Sequence, residues 1–338
     1  MGNQKMATFT NASLKVPEDL YAHATIYKAC FVILSVLIAF SNATVLLLYH
    51  SNPCIRSSKN LLLASLALSD LCAGTVVVPI TLQCFGEPIW NMCIASSVLF
   101  RLVAFSTILH ILAIIFEKYI SILHPFFLVR KKHLRVVSGC IWTTSFAVAT
   151  LPLAWLHTGD PVSPNSDFVR KELIYFLVTF VILFIVPFLL IVFAQVRMFR
   201  TISRSFSFNE NVPISPQSDV EGFNLTRNGR CPLASASDSI REQGSYRASS
   251  IQNRKVLTAF ALMLGTFTIC WSTWYIGAFL LYVHRESFLN FSADVKQMFQ
   301  IVVFLPPFIN PLLYTYYKQD FRQALQALLK ITLKTLCH

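Results

Sequence analysis

The run Trp90–Pro125, WNMCIASSVLFRLVAFSTILHILAIIFEKYISILHP, carries three formal charges, Arg101, Glu117 and Lys118, and no Gly or Pro before Pro125. An uninterrupted apolar stretch of this kind reads as one helix. At ~1.5 Å per residue it is ~50 Å long, well over the ~30 Å hydrocarbon thickness of a bilayer. Such a helix must tilt or protrude. Cys93 lies near its start, Arg101 two turns further on, and the triplet Glu117-Lys118-Tyr119 near its end.

The whole chain has the same character. Of its 338 residues, 55% are hydrophobic and 13% are charged, against ~25% charged in soluble domains. This is the composition of an integral membrane protein. Residues 1–25 are polar and hold no short apolar run ending in a cleavage site, so the first span is expected to act as the insertion signal. The net charge of +12 raises nucleic acid as a partner, but its placement along the chain argues for membrane topology instead. The nine cysteines form no CxxC pair and no His/Cys metal spacing. Most of them read as small apolar core residues.

Seven apolar segments of spanning length can be marked, at 26–49, 60–84, 91–123, 136–157, 173–199, 255–283 and 296–317. Segment 1–25 is a polar tail with a glycosylation sequon at Asn11. Beyond 317, residues 318–338 hold an amphipathic helix, with Phe321, Leu325, Leu328 and Leu329 against Lys318, Arg322, Lys330 and Lys334. Such a helix lies along the membrane surface. No internal repeat supports a transporter. Twenty Lys and Arg lie in 50–59, 117–135, 197–255 and beyond 317, and six in the segments of the opposite side. By the positive-inside rule the N-terminus is extracellular and the C-terminus cytoplasmic. The Ser-rich segment 206–250 lacks helical periodicity and reads as disordered. The sequons at Asn42 and Asn224 fall inside a span and on the cytoplasmic side, leaving Asn11 and Asn290 usable.

Particular residues recur span by span. Asn42 lies in the first, Leu66-Ala67-Leu68-Ser69-Asp70 in the second, and Trp142 and Pro152 in the fourth. Pro187 lies in the fifth, Phe267-Thr268-Ile269-Cys270-Trp271 in the sixth, and Asn310-Pro311-Leu312-Leu313-Tyr314 in the seventh, with Phe321-Arg322 after it. With Cys93 and the Glu117-Lys118-Tyr119 triplet, this order covers nearly the whole chain. It resembles the rhodopsin-like (class A) G-protein-coupled receptors, as a divergent, orphan-like member. The resemblance implies an all-α membrane protein: a seven-transmembrane helix bundle at 26–317 with a short amphipathic eighth helix. It implies a plasma-membrane receptor, not an enzyme, that carries an extracellular ligand's signal to a heterotrimeric G protein. Arrestin, receptor kinases and membrane lipid are the further partners. Nucleic acid is not one.

The resemblance also assigns roles. Asp70 is an ionisable group in mid-span, where burial is costly without a partner. The matching acid binds an allosteric sodium ion together with a hydroxyl of the third span, here Thr107. The other reading is a polar knot of Asp70, Asn42 and Asn310 without an ion. Pro187, Ile108 and Phe267 match a packing switch beneath Trp271, although ordinary core packing explains each alone. Asn310, Pro311 and Tyr314 join Glu117, Lys118 and Tyr119 as the coupling set.

Departures from the family pattern are equally definite. Lys118 stands where most members have Arg, and a point charge replaces a planar fork. Ser272-Thr273 follows Trp271, so the usual proline of the sixth span is missing and a straighter helix is expected. Gln195 replaces a Tyr of the fifth span, and Asn253 replaces an acid at the foot of the sixth. These leave a weakly coupling decoy or scaffold receptor as the alternative function. Cys93 normally pairs with a cysteine of the second outer loop, but residues 156–172 contain none. Cys84 is the nearest candidate in sequence, and two free thiols are the alternative.

For the ligand, the amine-binding Asp of aminergic receptors is replaced by Phe100 and the retinal-binding Lys of opsins by Phe304. Neither a classical biogenic amine nor retinal is expected. Arg101 sits at pocket depth, where a guanidinium holds a carboxylate or phosphate through two hydrogen bonds. An ion pair, for instance with Glu172, or snorkelling outward are the competing readings. Phe100, Trp271, Tyr275 and Gln300 are expected around it, with Phe279, Tyr282 and Phe299.

Overall fold

The structure is a computed structural model that describes residues 18–53, 55–57, 60–86, 90–124, 126–127, 130–156, 166–210, 239–284 and 290–336. Asn11 and Asn224 lie outside these residues, and the side chain of Tyr282 is likewise not described. Seven helices are long and apolar enough to cross a membrane: α1 (Thr25–Ser51), α2 (Leu61–Cys84), α3 (Asn91–Leu123), α4 (Lys131–Trp155), α5 (Asp167–Arg204), α6 (Ile251–Leu281) and α7 (Asp294–Tyr317). A terminal helix, α8 (Gln319–Leu336), follows. The described residues contain no strand.

Helix α3 is the hub. It packs on α2, α4 and α5 and also touches α6, while α7 closes the ring between α6 and α1. Ala104, Ile108, Ile111 and Ile115 recur at helical spacing along it, and all are buried. Apolar residues also cover the outside: Phe40 is 72% and Ile269 70% exposed. Helices apolar on every face suit a lipid surround.

Prolines shape several of the spans, α4 among them, where the regular helix is interrupted at Leu151–Pro152. In α2 the N–H of Val78 reaches back five residues to Ala73, within a π turn at Ala73–Val77. Pro79 has no N–H with which to continue that pattern. The Gly74 carbonyl it would have served receives the hydroxyl of Ser35 in α1 instead, at 2.6 Å. The helices meet closely here, since a Cβ on Gly74 would stand 2.9 Å from the Ala39 nitrogen. Helix α5 repeats the device with a π turn at Val181–Ile185 before Pro187. In α7 the regular helix breaks at Phe304, just before Pro306 and Pro307. The backbone helix that includes α6, by contrast, runs unbroken from Ser239 to Val283. Thr273, standing where a proline was missed, bonds back to the Ile269 carbonyl at 3.0 Å.

Two expectations need correction. The helices on either side of segment 206–250 extend into it, to Glu210 and from Ser239. No Pro or Gly stops the first before Pro213, and Ala, Gln, Glu and Arg favour helix in the second. Residues 211–238 lie outside the described ones. Lys318 does not join the basic face of α8. It is 6% exposed, and its ammonium donates to Asn60 Oδ1 and lies 3.8 Å from Asp320. Asn60 in turn donates to Asp320 at 2.9 Å. The chain turns at Lys318, between α7 and α8, which aims the side chain inward toward α2. Phe321 follows it inward, fully buried with its ring on Tyr314.

Candidate functional site

At the Cys93 end of the bundle a cavity of about 570 Å³ opens between α2, α3, α6 and α7. Phe100, Arg101, Trp274, Lys296, Phe299 and Gln300 are part of its lining, and no Asp or Glu among the described residues is. Its size is that of a small-molecule site. A disulfide between Cys84 and Cys93 forms part of the wall, with Cα atoms 5.1 Å apart. It ties the end of α2 to the start of α3 with no contribution from the segment between α4 and α5.

Phe100 floors the cavity. Its ring lies 5.2 Å from that of Trp271, 5.7 Å from Trp274 and 5.5 Å from Phe304. Trp271 and Tyr275, expected at the ligand surface, are 6% and 7% exposed and line a smaller adjoining pocket with Glu172 and Tyr175. Phe279 is 45% exposed and borders neither space. Trp274 takes its place, one helical turn after Trp271. That three-residue spacing in the sequence was the signal for it.

Arg101 lines both spaces. Its Nη2 donates to Glu172 Oε2 at 3.1 Å, the two side chains being 11% and 4% exposed. Its guanidinium carbon sits 5.0 Å from the ring centre of Tyr175, a cation–π arrangement. Trp155 Nε1 donates to Glu172 Oε1 at 2.8 Å. One ion pair thus joins α3, α4 and α5, and the snorkelling alternative is not what the helices adopt. Arg101 Nη1 is buried and makes no hydrogen bond.

Below Trp271 the rings continue: Phe267 lies 5.6 Å from Trp271 and Phe184 6.1 Å from Phe267. Ile108, Pro187 and Phe267 are all buried at this level. Deeper again, Asp70 is fully buried. It accepts from Thr107 at 3.4 Å and from Asn310 at 3.2 Å. Asn42 does not bond to Asp70. Its amide donates to the carbonyls of Ile38 and Pro307 instead. A second polar cluster escaped the sequence reading: His110 and Trp142 both reach Ser65 Oγ, at 2.8 and 3.1 Å, and Ser65 also contacts Ser138. Only the mid-span placement of His110 hinted at it.

At the opposite end Glu117 and Lys118 pair with each other at 3.2 Å. Tyr119 stacks on Phe116 at 5.8 Å. Tyr314 Oη and Gln195 Nε2 are buried there without hydrogen-bond partners.

A ligand-sized cavity above a column of packed rings, within seven helices apolar enough to cross a membrane, is the architecture of a multi-pass membrane receptor. The model of the family "7 transmembrane receptor (rhodopsin family)" matches residues 41–314, and the chain belongs to that family. Among its relatives, 5-hydroxytryptamine receptor 1F of Homo sapiens is 22% identical over 308 residues, covering 80% of this chain and 83% of that receptor. The 1D receptor of Rattus norvegicus is 23% identical over 344 residues, covering 92% and 90%.

Proposed function

We propose that the protein is a plasma-membrane receptor that converts binding of a small acidic ligand in the Arg101 cavity into G-protein activation. The observation that carries the reading is Arg101 itself: a guanidinium in the wall of a cavity with no acid among its described lining residues, paired with Glu172 through Nη2 and with Nη1 unbonded. A carboxylate or phosphate offers the charge-assisted partner that nitrogen lacks. Relatives are named as 5-hydroxytryptamine receptors. An amine ligand is not carried over, because Phe100 occupies the position of the amine-binding Asp and packs on three aromatic rings.

In this reading the N-terminus with Asn11 is extracellular and glycosylated, as the basic-residue distribution argues, and the C-terminus is cytoplasmic. Glu117, Lys118, Tyr119, Asn310, Pro311 and Tyr314 form the coupling end, with Ile108, Pro187 and Phe267 relaying movement. Receptor kinases and arrestin act on segment 206–250, where Arg204-Ser205-Phe206-Ser207 and Arg247-Ala248-Ser249-Ser250 are basic phosphorylation contexts. The reading includes a sodium ion at Asp70, supported by three hard oxygen donors: its carboxylate, the Thr107 hydroxyl and the Asn310 Oδ1 that has no hydrogen-bond partner. Sodium is expected to raise the thermal midpoint of the wild type but not of Asp70→Asn.

The second reading, a weakly coupling decoy or scaffold receptor, is favoured by the unbroken helix through Thr273 and by Lys118 pairing within its own helix. One experiment tests both: nucleotide exchange on membranes holding the receptor and a G protein, with a panel of small carboxylates and phosphates, and serotonin beside them. Activation by an acid and silence with serotonin supports the first reading. Silence with every compound, together with basal exchange no higher than in receptor-free membranes, favours the second.

A further inference from the structure

We propose that Glu172 is a tethered counter-ion competing with external carboxylates for Arg101, so that neutralising Glu172 creates a site for small carboxylate anions. The proposal rests on the acidic-ligand reading and adds to it the group that sets how strongly an acid must bind.

The Arg101–Glu172 contact uses one arm of the guanidinium. Nη2 is engaged at 3.1 Å, while Nη1 is buried and unbonded. A guanidinium fork matches a carboxylate best through two parallel bonds. Glu172 is held out of that geometry by its second oxygen, which accepts from Trp155 at 2.8 Å. Arg101 is held by the face of Tyr175. Each charge is therefore pinned by a different helix. Glu172 lines the small inner pocket and is not among the described residues that line the larger cavity, while Arg101 lines both. An acid that reaches the guanidinium from the cavity shares it with a resident negative charge. With Glu172 neutral, that charge is gone and the cation is left in a low-dielectric site, where it binds any carboxylate able to reach it.

The test is thermal unfolding of the full-length receptor in detergent, using sodium acetate as the probe against sodium chloride at equal ionic strength. Glu172→Ala is expected to lower the midpoint by about 5 °C or more, and millimolar acetate to restore most of the loss. The wild type is expected to show no acetate-specific shift. The double variant Arg101→Ala/Glu172→Ala is expected to show none either. Glu172→Gln, which keeps an acceptor for Trp155, serves if the alanine variant does not fold, and it too is expected to gain an acetate-specific, Arg101-dependent stabilisation. Absence of that gain in a folded variant, or the same gain without Arg101, overturns the proposal. Rescue by acetate with no acid activating the wild type leaves the proposal standing and removes the acidic-ligand reading. Activation of the wild type by acids without rescue does the reverse.

Discussion

The side-chain amide of Asn42, in α1, donates to the backbone carbonyl of Pro307, in α7, at 2.8 Å. Pro307 needs this partner because the residue four positions later is Pro311, which has no N–H to give it. A carbonyl orphaned in hydrocarbon is costly, and a residue of another helix fills the gap.

Asn42→Ala is accordingly expected to destabilise the receptor by about 1–3 kcal/mol, the cost of one buried acceptor left without a donor. Thermal unfolding in detergent, with surface labelling in cells, measures it. Asn42→Asp offers no amide to that carbonyl and is expected to be at least as harmful.

Gly74→Ala tests the other close approach. The added Cβ meets the Ala39 backbone nitrogen and Ile38 Cγ2, both at 2.9 Å, and neither belongs to the free end of a long side chain. The helices must part, at about 1–3 kcal/mol, and the Ser35 bond to the Gly74 carbonyl stretches with them. Gly139, with open space around it, is the control: Gly139→Ala is expected to be neutral or slightly stabilising.

Cys84→Ser and Cys93→Ser are each expected to cost about 2–3 kcal/mol, the chain-entropy value for so short a loop. The double variant is expected to cost no more than either single one, because the two residues share one bond. Additive losses in melting temperature would show that the cysteines act separately.

Arg101→Ala removes the guanidinium that faces Glu172, a buried carboxylate 3% exposed, with an expected loss of about 3–5 kcal/mol and a reduced surface level. Arg101→Ala/Glu172→Gln is expected to regain surface level but not the response to acids. Arg101→Lys keeps the charge and loses the fork, so a weakened response is expected. Surface labelling run beside a nucleotide-exchange assay separates folding from ligand recognition.

Lys118→Arg is expected to raise basal and stimulated nucleotide exchange, by a factor on the order of a few, because a planar fork replaces a point charge at the coupling end. Matched-expression membranes give the comparison. Equal or lower exchange counts against a coupling role for Lys118.

The sequence by itself determined the seven spans, because apolar runs of bilayer length have one stable solution when every backbone group must be satisfied internally. The family resemblance grouped Asp70 with Thr107 and Asn310, and the packed bundle brings both within hydrogen-bond reach of the carboxylate. What the sequence left open were the choices among partners. Arg101 had three compatible fates, and the rotation of α5 about its π turn at Val181–Ile185 bears on which side chains of that helix face α3. Glu172 and Tyr175 both do, at Arg101. Cys84 met Cys93 because the ends of α2 and α3 converge, a distance that no spacing of nine residues fixes. Lys318 was legible as a surface cation from its neighbours' pattern. The turn between α7 and α8 buried it against Asn60, a residue 258 positions earlier in the chain. Helical periodicity is local and can be read along one strand of sequence. The azimuth at which one helix meets another depends on every side chain between them, and only the packed bundle decides it.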